Sequence, residues 1–153
     1  MHLEKRFLLK QTDDARDLPL PTRQTTGASG FDLYANISVT IKKGERVLIP
    51  VGIKIALSFG YEAQIRPRSG LALKHGVTVL NTPGTVDSDY RGELIVLLVN
   101  LGDTDFHVNR GDRIAQMVIC KVEMIDFTEV DYNEELPASE RGTKGYGSTG
   151  GTK

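Results

Sequence analysis

The sequence predicts an all-β fold, an antiparallel β-sandwich or jelly roll, from two observations. Sixteen glycines and six prolines divide the 153 residues into short segments, much as turns divide the strands of such folds. Within these segments, apolar and polar residues alternate as they do in strands that have one buried face. No window of a dozen residues carries a helical stripe, and only Leu71 to His75 is expected to form a helical turn.

Four runs of alternating apolar residues predict the strands of the first half of the chain. They are Ile37, Val39 and Ile41; Val47 and Ile49; Val51, Ile53, Ile55 and Leu57; and Tyr61, Ala63 and Ile65. Turns are predicted at residues 42–45, 59–60 and 109–112, where glycine interrupts the pattern. Residues 93–99 are almost continuously apolar, which is typical of a strand buried on both faces. Residues 113–122 form the last predicted strand.

The composition becomes polar near residue 131. We therefore predict a β jelly-roll core at residues 1–130, followed by a linker and a glycine-rich C-terminal arm at residues 131–153. Five of the eleven residues from Arg141 to Gly151 are glycine. Such a segment builds no core of its own, and it is expected to be mobile until a ligand or a packing contact orders it.

Charge and cysteine content limit the function classes. Nineteen Lys and Arg residues nearly balance twenty Asp and Glu residues, so no overall field attracts nucleic acid or a membrane. The chain shows neither a signal-peptide core nor an apolar run of membrane-spanning length. Its one cysteine, Cys120, cannot form an intramolecular disulfide, and we expect a cytoplasmic location. One cysteine and three histidines also argue against a structural zinc site.

The densest polar segment within the predicted core is residues 81–93. The Pro-Gly pair at residues 83–84 predicts the turn of a hairpin. Asp87 either solvates that turn, as most isolated aspartates in hairpins do, or it carries chemistry together with Tyr90 and Arg91. In the second case the three residues would supply a base, a stacking surface and an anion clamp.

A second candidate is Arg66-Pro-Arg-Ser-Gly70. The proline is expected to end a strand and to leave Arg68, Ser69 and Gly70 on a loop. A guanidinium, a hydroxyl and an open backbone N–H can together bind phosphate oxygens. The alternative is a basic turn with a solvated arginine.

Two further polar residues lie within predicted strands. Asp32 lies between Phe31 and Leu33 and faces opposite to both. It could coordinate a metal directly or through water, although a solvated face is the favoured interpretation. Gln116 has apolar neighbours and needs hydrogen-bond partners if it is buried. Asp112 is assigned to turn chemistry.

The arm combines Arg141, a lysine, hydroxyls and open backbone N–H groups with the ring of Tyr146. These groups could wrap a phosphate chain and cover a base; the alternative is a floppy terminus. Its Gly-x-Gly-x-x-Gly pattern matches the dinucleotide fingerprint, but it lacks the preceding strand and the following helix. His75, His107 and Cys120 are expected to be structural or solvated.

Taken together, these five segments resemble the five ordered motifs of the trimeric dUTPases. The resemblance covers Ala28 to Gly150, and its most specific parts are Arg68-Ser-Gly-Leu-Ala72 and Gly84-Thr-Val-Asp-Ser-Asp-Tyr-Arg-Gly92. It implies a jelly-roll subunit and a homotrimer whose three active sites are shared between chains. It also implies Mg²⁺-dependent hydrolysis of dUTP to dUMP and pyrophosphate, which removes dUTP and supplies dUMP for thymidylate synthesis. It implies no nucleic-acid or membrane partner.

The resemblance also implies a role for each matched residue. Asp87 would be the general base, Tyr90 would pack on the deoxyribose, and Asp32 would help to place Mg²⁺ through water. Gln116 would bind the nucleophilic water or a phosphate. The other substrate-binding positions would be Arg68, Ser69 and Gly70 for phosphates from a neighbouring subunit; Asn81, Thr85, Val86 and Ile95 for the uracil; and Arg141, Tyr146, Gly147, Ser148 and Thr149 for closure over the phosphates and base.

Two alternatives use the same scaffold. A dCTP deaminase has related motifs, but it would need a catalytic glutamate in its base pocket, where this chain offers Asp87 and Tyr90. A non-catalytic nucleotide-binding protein has no need of a base. The joint presence of Asp32, Arg68 and Asp87 argues against that class.

Overall fold

The computed structural model describes residues 7–148 and residue 150. Contacts between residues divide the chain into two units, one ending at Glu123 and the other starting at Met124, and each is described by itself. The first unit contains strands β1 (Leu8–Gln11), β2 (Phe31–Tyr34), β3 (Val39–Ile41), β4 (Arg46–Pro50), β5 (Ile53–Ala56), β6 (Tyr61–Arg66), β7 (Val77–Val79), β8 (Gly84–Val86), β9 (Ile95–Asn100), β10 (Phe106–Val108) and β11 (Arg113–Lys121). It also contains a 3₁₀-helix (Asp13–Ala15) and one α-helix, α1 (Ser69–His75).

The strands form four antiparallel sheets, so the described part of the chain is mostly β, as predicted. The largest sheet has the order β2-β11-β6-β8, and a second has the order β4-β9-β7. The strands β1 and β5 form one two-stranded sheet, and β3 and β10 form another. Turns predicted at residues 42–45 and 109–112 are present, because the Glu45 N–H donates to the Lys42 carbonyl and the Asp112 N–H donates to the Asn109 carbonyl.

The inward-facing side chains of these sheets form one apolar core. The predicted alternation is confirmed along β5 and its flanks, where Val51, Ile53, Ile55 and Leu57 are all buried. Burying each such side chain contributes about 1.5–3 kcal/mol relative to leaving it in water. The alternation of apolar residues therefore fixes which face of each strand turns inward.

The predicted hairpin at residues 83–84 is wrong. β7 pairs with β9, whereas β8 pairs with β6 in the other large sheet. The proline and glycine therefore do not join two paired strands. They lie where the chain crosses from one sheet to the other, and Gly84 is already paired with Ile65 of β6.

The prediction that residues 93–99 are buried on both faces is also wrong. Ile95 is 49% exposed and Leu97 is partly exposed, while Val96 and Leu98 are buried. Opposite Leu97 on the neighbouring strand lies Leu48, which is 60% exposed. The sheet β4-β9-β7 thus has an outer face that is apolar and uncovered in the single chain.

The helical turn predicted at residues 71–75 is confirmed, and α1 begins two residues earlier, at Ser69. It ends at Gly76, whose φ of 65° lies in the left-handed region and whose N–H donates to the Ala72 carbonyl. A residue without a Cβ adopts this conformation at little cost. The histidines that were expected to be structural or solvated are exposed; the His75 ring packs against Phe106, and His107 Nδ1 lies 2.7 Å from the Thr40 hydroxyl.

A buried amide at the end of β9 connects the end of β3 with the loop between β9 and β10 in the first unit. Asn100 has no exposed surface, and its Nδ2 group donates to the Ile41 and Thr104 carbonyls at 2.9 and 2.8 Å. Its Oδ1 accepts from the Gly102 N–H at 2.9 Å. Every polar atom of this side chain is therefore paired, which offsets its desolvation.

A surface guanidinium joins the N-terminal segment to the turn before β11. Arg110 donates two hydrogen bonds of 2.7 Å to the Asp17 carboxylate, one to the Asp14 carbonyl, and one to the buried Asn36 side chain. The Arg110 hydrogen bonds lower the pKa of Asp17 from 3.8 to about 2. Fork-shaped pairing of this kind favours the ionised carboxylate.

In the second unit, residues 124–148 and 150 contain neither helix nor strand. Their backbone hydrogen bonds close short turns, such as that from the Glu134 N–H to the Asp131 carbonyl. The strand β11 ends at Lys121, and the division of the chain at residue 130 stays a prediction. No helix in the described ranges is long and apolar enough to cross a membrane.

We expect Asn100→Ala to lower the free energy of unfolding by about 2 kcal/mol or more, because it leaves the Ile41 and Thr104 carbonyls without their partner. Urea denaturation followed by circular dichroism measures this loss. The control is Asn109→Ala at an exposed position, which should change stability little. Equal effects of the two substitutions would contradict the bridging role of Asn100.

The Asp17–Arg110 pair predicts a pH-dependent difference between the wild type and Asp17→Asn. Because folding lowers the pKa of Asp17 to about 2, the pair contributes stability above about pH 4 and loses it as the pH falls towards 2. Urea unfolding at several pH values should show the wild type more stable near neutrality, with the difference shrinking as the pH falls towards 2 and vanishing below it. Asp13→Asn, at a carboxylate paired only with the exposed Arg16, is the control. A difference that does not vary with pH would contradict the argument.

Candidate active site

The central strand β11 brings distant polar residues together. Gln116 on this strand lies opposite Asp32 of β2 on one side and opposite Arg66 of β6 on the other. Because paired residues project from the same face of a sheet, the three predicted segments around residues 32, 68 and 116 meet here. This meeting point is called the polar cluster, and it consists of Asp32, Arg68, Arg113 and Gln116.

Asp32 is buried, and this corrects the expectation of a solvated face. It is 8% exposed, and its carboxylate accepts a hydrogen bond of 2.9 Å from the Gln24 side chain. Arg113 Nη1 lies 3.4 Å from Oδ2, and Arg68 Nε lies 3.6 Å from Oδ1. Two guanidinium groups and an amide thus offset the desolvation of one carboxylate.

Arg68 is held in place from two directions. Besides the contact with Asp32, its Nη1 donates to the Arg113 carbonyl at 2.9 Å. β6 ends at Arg66, before Pro67, as predicted, but Ser69 and Gly70 are the first residues of α1 rather than part of a loop. Both are exposed. The hydroxyl and the glycine backbone therefore stand at the surface beside the anchored guanidinium.

Gln116 is half-buried and has the partner that its position requires. Its Nε2 donates to the Pro67 carbonyl at 3.0 Å. On the other side, the side chain lies directly over the backbone of Gly30, where an added Cβ would overlap the amide oxygen and approach Cδ to 3.1 Å. The amide is therefore fixed between the turn before α1 and the start of β2.

A separate cleft of about 230 Å³ lies on the first unit. Its lining residues are Ile65, Thr85, Val86, Asp87, Tyr90, Glu93, Leu94 and Ile95. Five predicted site residues thus line a single cleft, which is called the hairpin cleft although its strands belong to different sheets. Asn81 is exposed at its edge, where its side chain lies 3.4 Å from the position of a Cβ on Gly84.

The loop after β8 is held by its own hydrogen bonds. The Tyr90 N–H donates to the Asp87 carbonyl at 3.2 Å, and the Tyr90 hydroxyl donates to the Glu93 carbonyl at 3.1 Å. Arg91 Nη1 donates to the Ser88 and Tyr90 carbonyls at 2.6 and 3.0 Å. Arg91 therefore stabilises the loop through these carbonyls. Its guanidinium group is not oriented to bind an anion in the cleft, which was one of the two alternatives for this segment.

Asp32 of the polar cluster and the β8 residues of the hairpin cleft lie at opposite edges of one sheet. In the order β2-β11-β6-β8, Asp32 belongs to one edge strand and Thr85 and Val86 belong to the other. Three inter-strand spacings separate the two edges, which is roughly 14 Å. The structure thus brings the predicted core residues into two groups rather than one.

The arm residues form a third group in the second unit. Arg141, Tyr146, Gly147 and Ser148 line a shallow cleft with Gly145, and Arg141 Nε donates to the Lys144 carbonyl at 2.8 Å. The Tyr146 ring is fully exposed, as an aromatic without a packing partner in its own unit. Thr149 lies outside the described residues.

Several contributors were missed by sequence reasoning. Gln24 and Arg113 contact Asp32, and Ile65, Glu93 and Leu94 line the hairpin cleft. Ile65 carried a signal, because it lies in a predicted strand and points inward. No sequence signal pointed to Gln24, because a glutamine in a polar loop does not reveal which carboxylate it will contact.

Asp32 fits a magnesium ion that is held through water. Among residues 7–148 and 150, no group of three or more His, Cys, Asp or Glu side chains is arranged as a metal cage. Mg²⁺ keeps several of its waters and binds through one or two carboxylates together with substrate phosphates. A carboxylate offers about four lone-pair sites, so Asp32 can accept hydrogen bonds from metal-bound waters while it holds its protein partners.

Chemically, the first unit offers an exposed carboxylate in a cleft and, at a distance, anchored cations suited to phosphate oxygens. The dUTPase family model matches residues 16–150. A deoxyuridine 5'-triphosphate nucleotidohydrolase from Caldanaerobacter subterraneus subsp. tengcongensis is 57% identical over 144 residues, which cover 93% of this chain and 95% of that protein. Another from Caulobacter vibrioides is 53% identical over 145 residues, which cover 92% of each chain.

Solved structures show the same fold. The Staphylococcus bacteriophage 80alpha dUTPase with dUPNHPP superposes with a TM-score of 0.85 at 23% identity, covering 95% of this chain and 98% of that one. A mutant dUTPase from phage phi11 of S. aureus, whose structure reveals the coordination of a structural Mg(II) ion, gives a TM-score of 0.73 at 19% identity, covering 85% and 99%. Since the family model and relatives of more than half identity span nearly all of the sequence, the chain belongs to the dUTPase family.

Proposed function

We propose that this chain hydrolyses dUTP to dUMP and diphosphate, as a homotrimer of jelly-roll subunits that uses Mg²⁺. The observation that carries the proposal is the hairpin cleft, in which the exposed Asp87 carboxylate stands beside Tyr90 and the edge strand β8. One side of β8 pairs with β6, and the described residues contain no strand on its other side. Its outward backbone N–H and C=O groups can therefore pair with a ligand.

The base and sugar are bound in this cleft. The backbone of Thr85 and Val86, with Asn81, matches the fixed donor and acceptor pattern of uracil, and Ile95 packs beside it. A cytosine amino group would leave buried polar groups unpaired, at a cost of about 1–3 kcal/mol for each group. Tyr90 packs on the deoxyribose and leaves no room for a 2′-hydroxyl.

The reaction is a substitution at the α-phosphorus. Asp87 takes a proton from a water molecule, whose oxygen forms the new bond to phosphorus. The bond from the α-phosphorus to the bridging oxygen breaks, and its electron pair leaves with the diphosphate. Asp87 also accepts a hydrogen bond from the 3′-hydroxyl, which orients the sugar relative to the base catalyst.

The polar cluster receives the phosphates of a substrate bound in a neighbouring subunit's hairpin cleft. Arg68, Ser69 and Gly70 contact phosphate oxygens, and Gln116 binds the nucleophilic water or a phosphate. When bound, Mg²⁺ would offset part of the triphosphate charge, and Asp32 would hold it through water. Asp32 and the β8 residues of the hairpin cleft lie on opposite edge strands of one chain, roughly 14 Å apart, which supports a site assembled from more than one subunit.

The arm closes the site. Arg141, Ser148 and Thr149 hold the β- and γ-phosphates, Gly147 allows the backbone to approach them, and Tyr146 covers the uracil. Closure excludes water other than the nucleophile. The exposure of the Tyr146 ring and the short-range hydrogen bonding of the second unit support an arm that finds its partners on the ligand.

The exposed apolar face of β4-β9-β7 supports assembly. Leu48, Leu80 and Ile95 are each more than 40% exposed, and contiguous apolar surface on a single chain often marks a protein interface. Sedimentation of the purified protein tests the trimer directly. A stable monomer that retains full activity would contradict the shared site.

We expect Asp87→Asn to lower turnover of dUTP by roughly 10²–10⁴-fold, because the amide cannot take the proton from water. Release of diphosphate from dUTP and Mg²⁺ measures the rate, and circular dichroism checks the fold. Asp89→Asn is the matched control, because Asp89 is also exposed in the same loop but does not line the cleft. Turnover near that of the wild type in Asp87→Asn would refute the assignment, and ammonia release from dCTP by the wild type would indicate a deaminase.

Removal of residues 140–153 should leave a folded assembly with severely impaired catalysis, because the phosphates and the base then stay open to water. Steady-state kinetics and sedimentation measure the two properties separately. Within the full chain, Tyr146→Ala should impair dUTP hydrolysis, whereas Tyr132→Ala should not, although both rings are fully exposed. Normal hydrolysis by the truncated protein would show that the arm is not a lid.

A further inference from the structure

The Tyr90 ring is placed by the loop from Asp87 to Glu93 more than by the cleft itself. Its hydroxyl reaches forward to the Glu93 carbonyl at 3.1 Å, while its own N–H reaches back to the Asp87 carbonyl. The ring is 45% exposed, so the cleft wall alone does not enclose it. A residue of the loop must therefore limit the position of the Tyr90 ring.

Gly92 lies against that ring. A Cβ on Gly92 would overlap the Tyr90 hydroxyl, lie 2.5 Å from Cζ and lie 3.0 Å from Cε2. These three atoms belong to one rigid phenol group, so the overlap is relieved only if the whole ring moves. The space that a side chain would occupy at residue 92 is already occupied by the ring.

Backbone conformation does not explain why residue 92 is a glycine. Gly92 is not among the glycines with a positive φ, so an L-residue could adopt its conformation. The close approach of the ring is therefore the feature that excludes a side chain. Gly44 and Gly60, which lie in turns, differ from Gly92 in backbone conformation. Their positive φ values of 79° and 82° explain why glycine is found there.

We propose that Gly92 is a positioning residue that sets the distance of the Tyr90 ring from the sugar and thereby the preference for deoxyribose over ribose. This inference rests on the proposed function, in which Tyr90 packs on the deoxyribose. A methyl group at residue 92 takes the volume of the hydroxyl and breaks its bond to the Glu93 carbonyl. The ring then moves away from its position against residue 92, and it no longer excludes a 2′-hydroxyl.

The test is the ratio of kcat/KM for dUTP to kcat/KM for UTP, measured with Mg²⁺ in the assembled protein. We expect Gly92→Ala to lower this ratio roughly tenfold or more, since a pocket rejects an added hydroxyl by about 10²-fold when its wall is fixed. Gly27→Ala should leave the ratio unchanged, because Gly27 has no positive φ and no atom within 4 Å of its Cβ position. An unchanged ratio in a folded Gly92→Ala protein would overturn the proposal.

A double-substitution cycle isolates the contact. In a Tyr90→Ala background the ring is absent, so adding Gly92→Ala should not change the ratio further. Gly92→Ala alone could prevent folding. In that case, folding of the double variant would support the steric conflict between residue 92 and the Tyr90 ring. Failure of both variants to fold would contradict that conflict. Tyr90→Phe keeps the ring without its hydroxyl and should retain more selectivity than Gly92→Ala.

A ligand-free measurement separates this proposal from the proposed function. With labelled tyrosine rings, the NMR signal that disappears in Tyr90→Phe should shift in Gly92→Ala and stay in place in Gly27→Ala. Failure of the wild type to hydrolyse dUTP would remove the proposed function and leave this shift as the test of ring position. Hydrolysis by the wild type with neither a shift nor a loss of selectivity would overturn the role of Gly92 alone.

Discussion

Main-chain hydrogen bonding along β11 is the constraint on which the polar cluster depends. This strand pairs with β2 on one side and with β6 on the other, while Ala115 and Met117 project from it into the core. Since a slip of one residue would turn those apolar side chains outward, burial fixes the register. The register in turn fixes which residues stand beside Gln116.

The polar cluster shows how cations can be oriented before any anion arrives. Asp32 is buried, but it contacts two arginines and an amide. The buried carboxylate restricts the rotamers of both guanidinium groups, so less conformational entropy remains to be lost when a phosphate binds. The carboxylate thus orders the positive charge of the two arginines without fully cancelling it.

Local pattern predicted most of the strands and the grouping of Asp87 with Tyr90, because both follow from residues close together in sequence. Thr85, Val86 and Ile95 were assigned by the resemblance, and Ile65, Glu93 and Leu94 of the hairpin cleft were missed. Asp87 and Tyr90 are neighbours in the same loop, so their meeting needed no knowledge of the fold. Which strands pair was harder to predict from the sequence. The proline and glycine at residues 83–84 indicated a turn, but they did not indicate that the chain changes sheets there. The burial of Asp32 depends on Arg113, which is 81 residues away, and no periodicity reveals such a partner.

Ile95 belongs to two surfaces at once. It lines the hairpin cleft, and it is paired with Pro50 at the edge of the uncovered face of β4-β9-β7. A molecule that covers that face and a ligand that fills the cleft therefore contact the same side chain. Any coupling of their binding free energies through this side chain must be equal in both directions: whatever factor a neighbouring surface adds to ligand affinity, the ligand adds to the affinity of that surface.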